Sequence, residues 1–194
     1  MATTADNTTA VQKMYIEYFG RPADPTGLNF WVNGLNNDPN LLTAIQQGFS
    51  GSAEYQAAYG GMNNRDLVLA VYDNMFGRVG EQTGVDFWVR ALDNNIININ
   101  NVVTEIVKGA QGNDLVAFNG RVAVATEFTK HIDTQAEMAA YSGANANMIA
   151  SKFIDTIVDL GSAASARDPG VIDAKIAEIV GVRATGFDMN DHMV

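Results

Sequence analysis

Apolar residues recur at helical spacing near the start of the chain. Between residues 9 and 19 they occupy positions i, i+3, i+4, i+7 and i+8, which share one face of an α-helix. These positions hold Val11, Met14, Tyr15, Tyr18 and Phe19. The same spacing returns 57 residues later, at Val68, Val71, Tyr72, Met75 and Phe76. The pattern therefore predicts two equivalent helices within an internal repeat.

A glycine-containing turn and a second helix follow each of these stretches. The segments FGRPADPTGLNFWVNGLNN (19–37) and FGRVGEQTGVDFWVRALDNN (76–95) share Phe-Gly-Arg, Thr-Gly and Phe-Trp-Val. Gly20 suits the left-handed residue that ends a helix, and Asp24-Pro25 suits an N-cap followed by the first helical residue. The repeating unit is therefore helix, turn, helix.

The repeat predicts an all-α fold, an array of helix-turn-helix hairpins with two clear copies and a degenerate third. The copies cover about 9–60 and 63–132, in a tandem domain that spans 1–133. Two additions, at 96–101 and at 113–124, lengthen the second copy and are predicted to be exposed loops, so that ATEFTKHI (125–132) corresponds to SAEYQAAY (52–59). Residues 134–181 form a third hairpin, with helices over 145–161 and 166–181. The stretch 182–194 is interpreted as a tail or the start of a linker.

Composition and charge narrow the function. The chain has 194 residues, a net charge of −10 and no cluster of Lys or Arg, which disfavours binding to nucleic acid or to an anionic membrane surface. It has no cysteine, and no apolar run is long enough to span a membrane. The acidic, Asn- and Gly-rich composition, without an N-terminal signal sequence, suits a bacterial protein exported by another route, although a cytoplasmic protein can look the same.

The aromatic residues of the repeat have a structural and a functional interpretation. Trp31 and Trp88 lie on the apolar stripe of their helices, so we expect them to be core residues rather than platforms that stack on sugars. Phe30 and Phe87, about 100° around the helix, are expected to fill the opposite side of the hairpin stack.

The charged residues of the turn also recur. We expect Arg21 to pair with Asp24, and Arg78 with Glu81, as local ties within each turn, the alternative being contact with a sugar or an anion. Asp24 and Asp168 fit helix caps better than calcium ligands, because the spacing of a calcium loop is absent.

The most polar part of the chain surrounds the first addition in the second copy. Amide and carboxylate groups on an exposed loop suit sugar hydroxyls, because an amide offers both a donor and an acceptor. The residues predicted to contact a carbohydrate are Arg90, Asp93, Asn95, Asn98, Asn100, Asn101, Asn113 and Arg121. A solvated loop without a ligand is the alternative.

No pattern in the sequence predicts catalysis. His131 and His192 are too few and too distant to suggest a metal or catalytic site, and neither a P-loop nor a G-x-S-x-G motif is present. The chain is therefore expected not to be an enzyme, and no metal site or cofactor is predicted.

The repeated signature, Gly-Arg in the turn, Thr-Gly, Phe-Trp-Val and a later Ser-x-Glu-Tyr at 52–55, resembles the DUF4214 family over about residues 11–131. Members occur in large secreted bacterial proteins, often beside calcium-binding repeats. The lengthened second copy and the third hairpin also resemble the N-terminal region by which S-layer proteins attach to lipopolysaccharide. The resemblance implies type I secretion, a cell-surface location and, for the anchoring region, binding of O-antigen sugar. This chain lacks the GGxGxD calcium repeat, so calcium stays only an open alternative.

Together these observations predict an extracellular, non-enzymatic module that anchors a secreted protein to envelope polysaccharide. Self-association in a surface array is expected, and neither nucleic acid nor membrane insertion is. The alternative is a protein–protein assembly module that makes lateral or filament contacts, and a generic scaffold domain is a third interpretation.

Overall fold

The computed structural model describes residues 3–185, with the side chains of residues 3–181. This part of the chain folds into twelve α-helices and contains no strand, so the prediction of an all-α fold is confirmed. The helices are α1 (Thr4–Phe19), α2 (Pro25–Asn37), α3 (Leu41–Ser50), α4 (Ala53–Tyr59), α5 (Asn64–Phe76), α6 (Gln82–Asp93), α7 (Val102–Lys108), α8 (Gly112–His131), α9 (Gln135–Ala140), α10 (Ala144–Asp155), α11 (Leu160–Ala166) and α12 (Pro169–Thr185).

The two predicted copies begin with the same helical hairpin. Helix α1 packs against α2, and α5 packs against α6. Gly20 and Gly77 end the first helix of each hairpin with φ of 63° and 68°, the left-handed conformation in which a residue without Cβ is not strained. Asp24 caps α2 as predicted, since its Oδ1 accepts a hydrogen bond of 2.7 Å from the Gly27 amide. The hairpin architecture of the repeat is therefore as the sequence indicates.

Helix α8 corrects one prediction. Residues 113–124 are not an exposed loop but belong to one continuous helix, Gly112–His131. Its buried positions follow helical spacing and join the core, which explains why the segment folds this way. They include Ala117, Phe118, Arg121, Val124, Ala125 and Phe128. Helix α8 packs against α1, α5, α10, α11 and α12, so it lies at the centre of the fold.

The C-terminal part is less simple than a hairpin. Helices α10 and α12 contact each other, but the helix predicted over 145–161 ends at Asp155, and the short α11 intervenes. The Asp159 side chain caps α11 by accepting a hydrogen bond from the Ser162 amide, which favours a new helix start there. Asp168 accepts a hydrogen bond of 2.9 Å from the Gly170 amide at the start of α12, as predicted for a cap.

Helix α12 continues to Thr185, four residues beyond the predicted helix end at 181. The predicted tail 182–194 is therefore helical in its first part. Residues 186–194, and His192 with them, lie outside the described residues.

Candidate functional site

The arginines of the two signature turns hold the start of a later helix. Arg21 donates from Nε and Nη2 to the two carboxylate oxygens of Glu54, at 2.7 and 2.9 Å. Arg78 makes the same bidentate pair with Asp114, with both bonds at 2.6 Å. The carboxylates lie in the first turns of α4 and α8, where the helix dipole also favours negative charge. Each arginine therefore connects its hairpin to the second helix after that hairpin, α4 in the first copy and α8 in the second.

These pairs revise the predicted turn contacts. The pair of Arg78 with Glu81 is present at 2.9 Å, as predicted. The predicted pair of Arg21 with Asp24 is wrong, because Glu54 takes the guanidinium while Asp24 caps α2. Sequence reasoning missed Glu54 and Asp114 as partners. The available signal is the glutamate of the Ser-x-Glu-Tyr segment at 52–55. In the structure its counterpart lies at the start of α8, not at 125–128 as the alignment of the copies predicts.

The Thr-Gly part of the signature has a packing role. A Cβ on Gly27 would lie 2.3 Å from the Tyr15 hydroxyl, and a Cβ on Gly84 would lie 2.8 Å from the Tyr72 hydroxyl. Each tyrosine therefore packs directly on the backbone of the second helix. Burial, together with the nearby charge of Asp24, raises the pKa of Tyr15 to about 12. The tyrosines and glycines of the repeat are thus structural.

The two tryptophans occupy equivalent, partly buried positions against the core. Trp31 packs edge-on against Phe49, with ring centroids 5.8 Å apart. Trp88 lies against Gly109, where a Cβ would come within 3.0 Å of its ring. Their placement in the core agrees with prediction, although neither ring is fully buried.

The neighbouring phenylalanines contradict prediction. Phe30 and Phe87 do not fill the hairpin stack but are exposed, with 66% and 56% of their surface accessible. Each ring stands edge-on to the adjacent tryptophan, with centroids 4.7 and 4.9 Å apart. Large apolar side chains gain free energy from burial, so two equivalent exposed aromatics are the unusual feature of this repeat.

Each exposed phenylalanine belongs to a row of exposed residues on its helix. The members are spaced i, i+4, i+7 and i+11, which places them along one face. The outer stripe of α2 consists of Thr26, Phe30, Asn33 and Asn37. The outer stripe of α6 consists of Thr83, Phe87, Arg90 and Asn94.

The last residue of each stripe has the same local geometry. Asn37 Nδ2 donates to the Asn33 carbonyl at 2.8 Å, and Asn94 Nδ2 donates to the Arg90 carbonyl at 2.7 Å. The two stripes therefore present a hydroxyl, an aromatic ring and an amide in the same order. They differ chemically at one position, where Asn33 corresponds to Arg90.

The Asn-rich segment after α6 is organised by its own hydrogen bonds. Asn101 Oδ1 accepts a hydrogen bond from the backbone N–H of Asn98, and Asn98 Oδ1 accepts one from the backbone N–H of Asn100, at 2.8 and 2.9 Å. Asn95 has a positive φ of 56°, which asparagine tolerates better than most residues. Asp93, just before it, accepts a 2.6 Å hydrogen bond from Asn64 Nδ2. These side chains shape the connection, which favours the structural interpretation of the segment.

Two tyrosines of the first copy hold this connection in place. The Tyr18 hydroxyl donates to the Asn100 carbonyl at 2.8 Å, and the Tyr55 hydroxyl donates to the Ile99 carbonyl at 2.7 Å. Ile97 is buried in the core. The segment 96–101 is thus a partly exposed loop, as predicted, which also connects the two copies.

Arg121 was predicted to contact a ligand, and this is wrong because its side chain is fully buried. Its guanidinium donates to the carbonyls of Asn74 and Ile157, near the C-terminal ends of α5 and α10, with the second bond at 3.0 Å. Burial lowers the pKa of Arg121, opposed by the nearby charge of Asp155. Asn113 stays exposed in the first turn of α8.

Within residues 3–181 no three acidic or histidine side chains are grouped so as to hold a metal ion. His131 instead contacts Asp173, with Nδ1 2.7 Å from Oδ1. Across the part of the chain that the structure describes, no helix is both long and apolar enough to cross a bilayer.

Comparison with known proteins bears on the repeat. No curated protein and no solved structure matches the chain. The profile of a domain of unknown function, DUF4214, matches residues 2–59 and again residues 46–112. Together the matches extend from α1 to the first residue of α8, which is more than half of the chain, and each contains one signature hairpin. The chain therefore belongs to the DUF4214 family, whose profile matches it over these two overlapping segments.

Proposed function

We propose that this chain is a non-catalytic module that binds polysaccharide of the bacterial envelope, in particular O-antigen, and thereby anchors a secreted protein at the cell surface. The cell-surface location follows the resemblance of the sequence to anchoring regions of S-layer proteins. The observation that carries the binding proposal is the pair of outer stripes on α2 and α6, with Phe30 and Phe87 exposed at equivalent positions.

The chemistry of the outer stripes suits sugars. An exposed aromatic ring offers an apolar face to the C–H groups of a pyranose, and flanking hydroxyl and amide groups offer donors and acceptors to its hydroxyls. The outer stripe of α2 has no charged member, which suits a neutral ligand. One exposed ring surrounded by polar groups is a small apolar area for a protein partner, since stable protein interfaces bury about 800 Å² on each side.

Two equivalent stripes also suit a polymer. A polysaccharide presents many copies of the same unit, so a module with two binding surfaces gains affinity from the second contact. Each single contact is weak because it is exposed. Many modules on one surface would then strengthen attachment further.

The test is affinity electrophoresis of the full chain through gels that contain O-polysaccharide freed from lipid A. We expect Phe30→Ala and Phe87→Ala each to weaken retardation about two- to ten-fold, the factor for an aromatic contact of about 0.5–1.5 kcal/mol. The double variant should lose more than either. Because both rings are exposed, thermal stability should change little.

The matched control is Met138→Ala, which removes an exposed apolar side chain on α9, outside both stripes. It should bind like the parent. Parent protein that is not retarded by any of a set of O-polysaccharides, or a double variant that is retarded as strongly as the parent, contradicts the proposal.

One observation favours assembly as a second candidate function. Val79 and Leu160 are 78% and 72% exposed, and Val158, two residues before Leu160, lies against Gly77 in the same turn as Val79. None of these three apolar residues belongs to either outer stripe, so they would form a separate contact surface. Concentration-dependent association of the parent in sedimentation velocity, abolished by Leu160→Glu, would support this candidate.

A further inference from the structure

We propose that Arg90 makes the outer stripe of α6 selective for acidic sugar residues, such as uronic acids, while the outer stripe of α2 accepts neutral ones. This inference rests on the proposed function. It follows from the single chemical difference between the members of the two stripes, Asn33 in the first and Arg90 in the second.

The surroundings of Arg90 leave its guanidinium available. The acidic residues one turn away on α6 are Asp86 and Asp93, and both have other partners. Asp86 accepts from Arg65 at 3.0 Å and from Gln82 at 2.7 Å. Asp93 accepts from Asn64 at 2.6 Å. The hydrogen bonds from Gln82 and Arg65 lower the pKa of Asp86, and the nearby charge of Arg90 adds to this effect. Within residues 3–181 no carboxylate lies within ion-pair distance of Arg90, in contrast to Arg21 and Arg78 in the signature turns.

The position of Arg90 relative to the ring defines the ligand. Arg90 lies one turn after Phe87 on the same exposed face, so a sugar that stacks on the ring places its substituents beside the guanidinium. A planar guanidinium binds a carboxylate with two parallel hydrogen bonds and an opposite charge. The amide of Asn33 is neutral and lacks this charge. A hexuronate carries its carboxylate directly on the pyranose ring. A sugar ring that stacks on Phe87 therefore holds its carboxylate close to Arg90, one helical turn away.

The overall charge of the molecule limits the effect. At a net charge of −10 the protein repels a long polyanion, so the preference belongs to short oligomers or to glycans with occasional acidic units. Salt weakens an exposed charge pair and leaves stacking nearly unchanged. Selectivity for the acidic ligand should therefore decline as salt is added.

The experiment compares trimers of galacturonate and of mannuronate with their methyl esters, which keep the ring and remove the charge. Binding of the full chain is measured by saturation-transfer NMR titration at low and at high salt. The parent should bind the acids about two- to five-fold more tightly at low salt, the factor for an exposed pair of about 0.5–1 kcal/mol. This preference should vanish in Arg90→Asn.

The reciprocal variant, Asn33→Arg, serves as the matched gain-of-function test and should raise the preference for the acids. Lys152→Ala, which removes an exposed charge on α10, is the control for net charge and should keep the preference of the parent. Equal binding of acids and esters by the parent, or an unchanged preference in Arg90→Asn, overturns the inference but not the proposed function. Binding of neither acid nor ester, together with no retardation by O-polysaccharide, contradicts both.

Discussion

The turn at 20–24 and the turn at 77–81 share a motif but differ in their surroundings. In the first, the Pro22 carbonyl accepts a 2.7 Å hydrogen bond from Tyr141, and the Ala23 carbonyl accepts one of 2.7 Å from Thr129. In the second, Val79 is exposed at the position of Pro22. The later helices therefore cover one turn and leave the other open.

The two turns adopt the same local conformation although their surroundings differ, which indicates that the motif determines this conformation. Both turns have a left-handed glycine and an arginine that pairs with a carboxylate of a later helix. The cost of breaking this ion pair depends on the cover, because removing one partner of a charged pair costs more where solvent is excluded. The two copies thus allow the same interaction to be measured in two environments.

The largest expected effect concerns the two arginines. Arg21→Ala removes a side chain that is only 10% exposed and that holds Glu54 with two hydrogen bonds. It also removes the contact of the guanidinium with the Tyr15 and Phe19 rings, so we expect a loss of about 3 kcal/mol in the free energy of unfolding. Arg78→Ala removes a side chain that is 33% exposed and should cost about 1 kcal/mol. Urea denaturation measures both. Equal losses in the free energy of unfolding would mean that the cover over the first turn does not raise the cost of removing its arginine.

For the glycines of the two turns we expect the opposite order, with the substitution in the second turn being the more destabilising. A Cβ on Gly77 would lie 2.8 Å from Val158 and 3.0 Å from the Arg121 guanidinium, whereas a Cβ on Gly20 meets nothing within 4 Å. Both substitutions strain the left-handed backbone, at about 1–2 kcal/mol. Gly77→Ala adds overpacking and should cost about 2–3 kcal/mol in total, against about 1 kcal/mol for Gly20→Ala. Thermal melts of the two variants test this, and a greater loss in Gly20→Ala would refute the packing at Gly77.

A smaller, pH-dependent effect is expected at Glu17, whose counterpart in the second copy is Asn74. Glu17 is buried, and burial raises its pKa from 4.5 to about 7, opposed by a 2.9 Å hydrogen bond from Thr104. Between these values the folded state retains a proton that the unfolded state releases. The contribution of Glu17 to stability is therefore most favourable below about pH 4.5 and is lost as the pH rises through about 7.

Glu17→Gln removes this titration while keeping an acceptor for Thr104. At pH 8 the variant should be more stable than the parent by on the order of 2 kcal/mol, and the difference should disappear below about pH 4.5. Urea titrations at several pH values measure the difference. A constant difference between the two proteins across this range would show that Glu17 does not titrate as a buried group.

The sequence was sufficient to predict features that depend on neighbouring residues. The hairpins, the caps at Asp24 and Asp168 and the left-handed glycines follow from helical spacing and from local hydrogen bonding. Arg78 with Glu81 is likewise a local pair. Each of these needs only a few consecutive residues to be specified.

Features that depend on long-range packing were not predictable in the same way. Glu54 is 33 residues from Arg21, and Asp114 is 36 residues from Arg78. Phe30 looked like a core residue because its size favours burial, and only the packing of α2 shows that it faces solvent. The sequence predicts Arg121 to be a surface residue because charged side chains are rarely buried without partners. Its partners are backbone carbonyls and, at 3.5 Å, the Asp155 carboxylate, and the sequence reveals none of them.

Helix α8 has a consequence for how the molecule folds. In most repeat proteins each unit contacts only its neighbours, so units gain or lose structure one after another. Here one helix begins where the second family match ends and packs against both hairpins and the C-terminal helices. Its residues Phe118, Val124 and Phe128 are buried. Phe128 contacts the rings of Tyr141 and Phe153 from the C-terminal part of the chain. Folding of the two copies is therefore linked through α8, and neither copy can lose its structure without exposing apolar surface on this shared helix.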